Sequence, residues 1–428
     1  MNELQPLLWS AAEVLRDHLD PSQVRVLTLR LLALRALAPS WPEDLNASSI
    51  HKMQADVVEQ RAYLKPAFTD LPMVDAARLR QLGETLAHAD LRDTDQLSHA
   101  YEFLLGRFAK EEGRRAGQFY TPPTLVQLMV SLISPDHGLL YDPCCGGGGM
   151  FVHAAKYTPG LSFVGQECNP QTWALAALNL AVHGLRADLG PRAADTLLRD
   201  QHPDLRADFI LANPPFNLSR WGAQRLSEDP RFRFGVPPDS NANLAWLQHI
   251  TARLKPGGRA AVVMANGSLT NNRRGEDHIR HQLVQSGFVE AIITLPEQLF
   301  LNTPIAACVW VMGSRRTHDQ RLLLLDARHQ SHLVGRVRRA FDNNDIDSIS
   351  SCIHRFREVG ECDSKFATVL ALSELSCGQP LTPGLYIDSP TEDVDDTVLQ
   401  TIIHELRAQS ERAQQLDEQL FECLEHLT

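Results

Sequence analysis

The chain has 428 residues, 43% of them hydrophobic and 22% charged, with 25 Gly and 25 Pro; this is enough for a large core and two or three packing units. Its net charge of −11 excludes a strongly basic, free-standing DNA clamp, because non-specific DNA affinity comes mainly from Lys and Arg neutralising phosphates. The eight cysteines are scattered and no two have C-x-x-C spacing, which argues against a disulfide framework, a zinc site or a redox dithiol.

Residues 1–100 read as helical. Leu7, Leu8, Ala11, Val14, Leu15 and Leu19 recur at helical spacing, and Pro21-Ser22 opens a second run, VRVLTLRLLALRALA. A helical N-terminal domain packed on a later core is expected. The acidic residues of MNELQPLLWSAAEVLRDHLD stand where a secretory signal would be positive, so an uncleaved cytoplasmic protein is expected. No apolar run approaches the ~20 residues of a membrane-spanning helix, so no membrane partner is expected.

From Leu139 the pattern changes. GLLYD reads as a strand, followed by the glycines 146–149 and a helix-like MFVHAAKY, and LSFVGQE reads as a second strand. Asn169-Pro170 opens a helix, with Asn as N-cap and Pro in the first turn, and Gly184 stops it. ADFILA, RAAVVMA and FVEAIITL read as strands separated by the helices NANLAWLQHITARL and EDHIRHQLVQSG. Such alternation predicts an α/β fold, a doubly wound, mostly parallel sheet over residues 101–390. ACVWVM and RLLLLDA have no helix between them and are expected to pair antiparallel with each other at one side of the sheet.

The tail, residues 391–428, is a separate element. Leu399, Ile402, Leu406, Gln409, Ala413, Leu416, Leu420, Cys423 and Leu427 form a heptad seam with one polar interruption at Gln409. It reads either as a helix docking onto a partner or as one folded back on its own domain. From Thr391 onward ten acidic residues stand against two arginines, leaving only −3 for residues 1–390. Nucleic acid therefore remains open as a substrate, gripped with a partner's help.

Two constellations carry chemistry. Glycines at the carboxyl end of a first strand let the backbone turn sharply and approach a ligand. Here Asp142-Pro143 precedes Gly146, Gly147, Gly148 and Gly149, and Glu167 ends the next strand, where a carboxylate can accept from both ribose hydroxyls. The G-x-G-x-x-G of a pyrophosphate site is absent in that form, so S-adenosylmethionine fits better than NAD. Cys144, after Pro143, has the look of a cytosine-methylating thiol, but its place inside the cofactor loop leaves no room for a base. Asp195, in a later loop, either accepts from the cofactor's adenine amine or is a solvated loop residue.

The second constellation is Asn213-Pro214-Pro215-Phe216, which follows ADFILA at the carboxyl end of a buried strand, where open α/β sheets keep their sites. A planar amine conjugated to a ring is a poor nucleophile. The Asn213 amide oxygen and the Pro214 main-chain oxygen can each accept one of its protons, aligning it with a methyl-sulfonium and favouring the positive charge that develops. Phe216 offers a face for a flipped base. The 17 histidines show no metal-ligand spacing, and no metal is expected.

Across residues 100–390 the chain resembles the modification subunit of Type I restriction–modification systems, a DNA adenine-N6 methyltransferase. The resemblance rests on GQFYTPPTLVQLMVSLI, YDPCCGGGGMF, GQECNPQTWALAALNLAVHG, DTL, ILANPPFN, NANLAWLQHI, ANGSLTNNRRGEDHIRHQLV, LPEQLFLNTPIAACVWVM and PGLYID. It implies that Gln118, Phe119, Tyr120, Thr121, Pro122 and Pro123 close over S-adenosylmethionine, that Asp142, Gly146–Gly149, Glu167 and Asp195 hold it, and that Asn213, Pro214, Pro215 and Phe216 are catalytic. Gln118 stands where many relatives have Glu, Cys144-Cys145-Gly146-Gly147 replaces the commoner Ala-Cys-Gly-Ser, and Ala194 stands where Gly is usual. The implied partners are double-stranded DNA with its target adenine flipped out and a specificity subunit that reads the target, with room for a second copy of this chain and a restriction subunit. Glutamine N5-methylation of a protein makes the same demand on Asn213–Phe216 and is the alternative enzyme; a non-catalytic scaffold of the same fold is the other.

Overall fold

The computed structural model describes residues 9–68, 72–88, 100–108, 121–300, 306–313, 320–334 and 338–387, apart from positions 11, 17, 102 and 105, together with positions 404, 408, 409, 412 and 416. Residues up to Ile387 form one compact unit, and Asp388–Thr428 a second. No helix among the described residues is long and apolar enough to cross a membrane.

The N-terminal segment is helical as expected, with α1 (Pro21–Leu37), α2 (Ala47–Gln60) and α3 (Ala76–His88). Asp20 accepts from the Ser22 and Gln23 main chain while the Gln23 side chain reaches back, a capping box that starts α1 at Pro21. The segment joins the main core: α1 packs on α6 (Pro170–Val182), and the buried Tyr101 hydroxyl points at the Leu175 carbonyl, 3.4 Å away.

The longer helices that follow among the described residues are α4 (Pro123–Ile133), α5 (Gly149–Tyr157), α6, α7 (Asn243–Arg253), α8 (Glu276–Gln285) and α9 (Asn343–Val359). The strands are β1 (Gly138–Asp142), β2 (Leu161–Gly165), β3 (Ala187–Asp188), β4 (Ala207–Ala212), β5 (Leu254–Ala265), β6 (Val289–Thr294), β7 (Ala307–Gly313), β8 (Arg321–Asp326), β9 (His332–Val334), β10 (Arg338–Ala340) and β11 (Ala367–Ala371). Nine of them form one sheet in the order β11-β8-β6-β7-β5-β4-β1-β2-β3, and β9 and β10 form a separate two-stranded ribbon. Only β7 and β11 run against the rest. The α/β, mostly parallel expectation holds.

One pairing differs from expectation. ACVWVMG does not pair with RLLLLDA; β7 lies between β5 and β6, antiparallel to both, while β8 pairs parallel with β6 and antiparallel with β11. Every residue of β7 is buried, and so is every residue of β8 after the exposed Arg321, in keeping with interior positions that give each strand a neighbour on both sides. Alternate residues feed two cores. Leu140, Phe209, Leu211, Val263, Ile293 and Val309 face one side with the N-terminal helices, and Tyr141, Ile210, Ala212, Val262, Ile292 and Trp310 face the other.

Strand order runs β3-β2-β1 and then reverses at β4-β5, so β1 and β4 flank the topological switch point. Loops leaving neighbouring strands there diverge and open a crevice at the carboxyl edge. Both sequence constellations leave from these two strands.

In the second unit the described positions His404, Ala408, Gln409, Arg412 and Leu416 are helical and exposed. The other seam residues, Leu399, Ile402, Leu406, Ala413, Leu420, Cys423 and Leu427, lie outside the described residues.

Candidate active site

The β1 loop is built by turns that glycine alone makes cheaply. Gly146 (φ +54) and Gly148 (φ +78) lie in the left-handed region, and Gly148 is the N-cap residue of α5. A Cβ added at Gly146 or Gly149 would meet no atom within 4 Å, so the loop fronts open space, as a ligand cradle must. Asn179 Nδ2 donates to the Gly147 carbonyl at 2.7 Å and fixes the loop on α6.

Two carboxylates brace this loop. Asp142 Oδ1 accepts from the Cys144 N–H at 3.0 Å; burial lifts its carboxyl to a pKa of about 7. Glu167 is also buried, which raises it, and its oxygens accept from Asn169 N–H at 2.8 Å and Gly146 N–H at 3.1 Å. A ribose would use its remaining lone pairs. Burial pushes the Cys144 thiol far up, which keeps it protonated and unsuited to nucleophilic work.

Asp195 caps a turn, Oδ1 accepting from the Leu197 and Leu198 N–H groups at 2.9 and 3.2 Å. Its loop is tied to the glycine loop through Thr196 Oγ1, which donates to the Pro143 carbonyl at 2.5 Å. Behind it lies a buried network invisible in the sequence. Arg231 donates to the Thr196 and Leu197 carbonyls at 3.0 and 2.5 Å, to Asp229 and to His249 Nδ1. Because Nδ1 accepts, His249 Nε2–H donates to the Tyr141 hydroxyl at 3.1 Å; burial lowers this imidazole to about 3, so it stays neutral.

Asn213–Phe216 follow β4 directly. Asn213 Nδ2 donates to Thr121 Oγ1 at 3.0 Å, whereas its buried Oδ1 has no hydrogen-bond partner among the described residues. The amide is thus pinned by its donor end with its acceptor end left free, a costly arrangement unless something donates to it. Thr121, assigned with Gln118–Pro123 to the cofactor, holds the Asn213 amide in this structure; Pro122 and Pro123 start α4, and Gln118, Phe119 and Tyr120 lie outside the described residues. Two residues given no role by sequence complete the turn. Asn243 Oδ1 accepts from Asn217 N–H at 3.0 Å and its Nδ2 donates to Asn217 Oδ1 at 2.9 Å, holding Asn217 at φ +54. Phe300 meets Phe216 edge to face, ring centroids 6.0 Å apart. NANLAW and LPEQLF carried the only signal for them.

Among the described residues, His332, Asp342 and Asp345 offer ligand atoms within 4.8 Å of one another, but Asp342 and Asp345 are spent on the capping box that starts α9.

The model of the N-6 DNA Methylase family matches residues 92–395. The chain belongs to that family. It is a DNA adenine-N6 methyltransferase of the kind found as the methylase subunit of Type I restriction enzymes. It is 39% identical over 311 residues to the Type I restriction enzyme HindI methylase subunit of Haemophilus influenzae, a match covering 70% of each chain. With the MjaIX methylase subunit of Methanocaldococcus jannaschii it shares 33% identity over 324 residues, covering 71% of this chain but only 57% of that relative. The type I methyltransferase subunit from Streptococcus thermophilus has the same fold, with a TM-score of 0.72 at 23% identity over 87% of this chain and 96% of that one. In this N-6 DNA methylase the glycine loop and the Asn213 turn leave the carboxyl ends of the adjacent parallel strands β1 and β4, and these matches favour DNA over a glutamine side chain as acceptor.

Proposed function

We propose that the chain binds S-adenosylmethionine on the β1 loop and directs its methyl onto the N6 amine of an adenine flipped out of double-stranded DNA. The observation that carries this reading is the buried Asn213 Oδ1, without a hydrogen-bond partner among the described residues, at the end of the strand next to the one that carries the open glycine loop. The donor supplies a methyl on a cationic sulfur. Asn213 Oδ1 and the Pro214 carbonyl accept the two N6–H groups, which turns the lone pair toward the methyl and stabilises the charge growing on nitrogen. Thr121 fixes the amide's orientation, so little reorganisation is needed as the N–C bond forms and the S–C bond breaks. The surplus proton then leaves N6 for water. Phe216 and Phe300 wall the base pocket, and Asp142, Glu167 and Asp195 line the cofactor side.

The helical residues 1–100, the methyltransferase residues 101–390 and the tail 391–428 divide the labour, the tail's heptad seam docking a specificity subunit that supplies target reading and much of the DNA charge. The assembly works in the cytoplasm. With that subunit present, the chain should transfer labelled methyl from S-adenosylmethionine to adenine in DNA. Asn213→Ala should lower kcat by about 10²–10³ or more, as loss of an oriented acceptor does, while cofactor binding persists. Undiminished turnover in that variant would remove Asn213 from the mechanism.

A further inference from the structure

We infer that the two-stranded ribbon β9–β10 is a DNA contact that enters the groove beside the target adenine. This rests on the proposed methyl transfer to DNA. Topology puts the ribbon at the right edge: β8 runs parallel to β6 and, through it, in the same sense as β4, so the segment after Asp326 leaves from the carboxyl edge that carries Asn213. Two hydrogen bonds hold it at the pocket's rim. Arg339 N–H donates to the Gln298 carbonyl at 3.1 Å, two residues from Phe300, and Gln127 Nε2, one turn into the helix that follows Thr121, donates to Asn343 Oδ1 at 3.1 Å just past the ribbon.

Its chemistry suits nucleic acid. Between Asp326 and Asp342 the chain has four arginines, two histidines and no acidic residue, in a molecule whose net charge is −11. The acids at its base are occupied: Asp326 pairs with Arg328 at 2.5 Å, and Asp342 and Asp345 cap α9, with Asp345 also 3.6 Å from His332. Arg338 Nε is buried with no hydrogen-bond partner among the described residues, and Arg338 stands opposite Val334 while Arg339 stands opposite Leu333. Leu333 and Val334 are 56% and 46% exposed, unusual for consecutive apolar residues on an isolated ribbon, which is marginal by itself. A major groove admits a two-stranded ribbon, with arginines on phosphates and apolar side chains on thymine methyls and sugars.

The test uses the complex of this chain with its specificity subunit and a fluorescent duplex carrying the target site, followed by anisotropy over a salt series without cofactor. Arg338→Gln should reduce the slope of log affinity against log salt by about one and weaken binding roughly 3- to 10-fold at ~0.15 M salt. Leu333→Ser removes an exposed side chain and leaves no cavity; it should weaken site binding a few-fold with the slope unchanged. Unchanged affinity and slope in both variants overturn the inference. So does loss of co-elution with the specificity subunit at an unchanged melting temperature, which would make the ribbon a protein interface. Because DNA binding is read without turnover, failure of the wild-type complex to methylate adenine would refute the function proposed above and leave this result readable.

Discussion

Arg231→Ala tests whether one buried guanidinium holds the cofactor-side loops together. Arg231 is 7% exposed and its partner Asp229 18%, so solvent screening is weak and the 0–1 kcal/mol of a surface pair does not apply. Truncation leaves the Thr196 and Leu197 carbonyls and His249 Nδ1 without their donor, and strips the Asp229 carboxylate of the guanidinium while the main-chain N–H at position 231 stays. Breaking a buried pair this way costs about 3–5 kcal/mol. Water entering the vacated space and relaxation of the loop favour the lower end, about 3 kcal/mol. At about 2.1 cal/mol/K of unfolding entropy per residue, the unit ending at Ile387 shifts by roughly 1.2 °C per kcal/mol, so the melting temperature should fall by roughly 4 °C. Cofactor affinity, measured by calorimetric titration well below that transition, should fall as well, because the Asp195 turn hangs from the two released carbonyls. Arg231→Lys should recover only part of both losses, since an ammonium cannot span the carbonyls and the carboxylate together. A melting shift under about 2 °C with unchanged cofactor affinity would refute the reasoning.

Burial holds the Asp142 carboxyl near 7 in the free protein, and a cationic ligand favours its ionised form. Affinity for S-adenosylmethionine should therefore weaken as pH falls from 8 through 7 toward 6, by at most about tenfold per unit, and Asp142→Asn should flatten that dependence; a pH-independent wild-type affinity would contradict it. The folded carboxyl also titrates above its unfolded value, so this group stabilises the fold less as pH rises from about 4 to 7, the sign opposite to that of a paired carboxylate. Gly149→Ala should leave stability unchanged or raise it by up to about 1 kcal/mol, because Gly149 lies outside the left-handed region and its Cβ direction is open. The same methyl group would occupy ligand space, so cofactor affinity should drop at least about tenfold; unchanged affinity would mean that the cofactor lies elsewhere.

The primary sequence alone determined the elements whose signal is local. Asn169-Pro170 dictates a helix start because the Asn side chain caps the Gln171 and Thr172 N–H groups, and Gly146 and Gly148 announce a turn no other residue makes cheaply. Asn213–Phe216 likewise announced a turn at the end of a buried strand, because strand and turn are contiguous in the chain. A local signal marks α9 as well, where Ile346, Ile349, Ile353 and Phe356 recur at helical spacing among polar residues.

Tertiary structure decided what depends on residues far apart. Nothing in ACVWVMG tells which two strands will flank it, since a strand buried on both faces pairs wherever two edges are free. Arg231 reads as a surface charge until folding brings it against carbonyls thirty-odd residues earlier in the chain, and only there does desolvation make its hydrogen bonds strong. Thr121, ahead of α4, meets Asn213 across 92 residues, and Phe300 meets Phe216 because β4 and β6 run in the same sense and end at one edge of the sheet. Local propensity and turn chemistry are written residue by residue, whereas the pinning of the Asn213 amide is a property of the assembled edge.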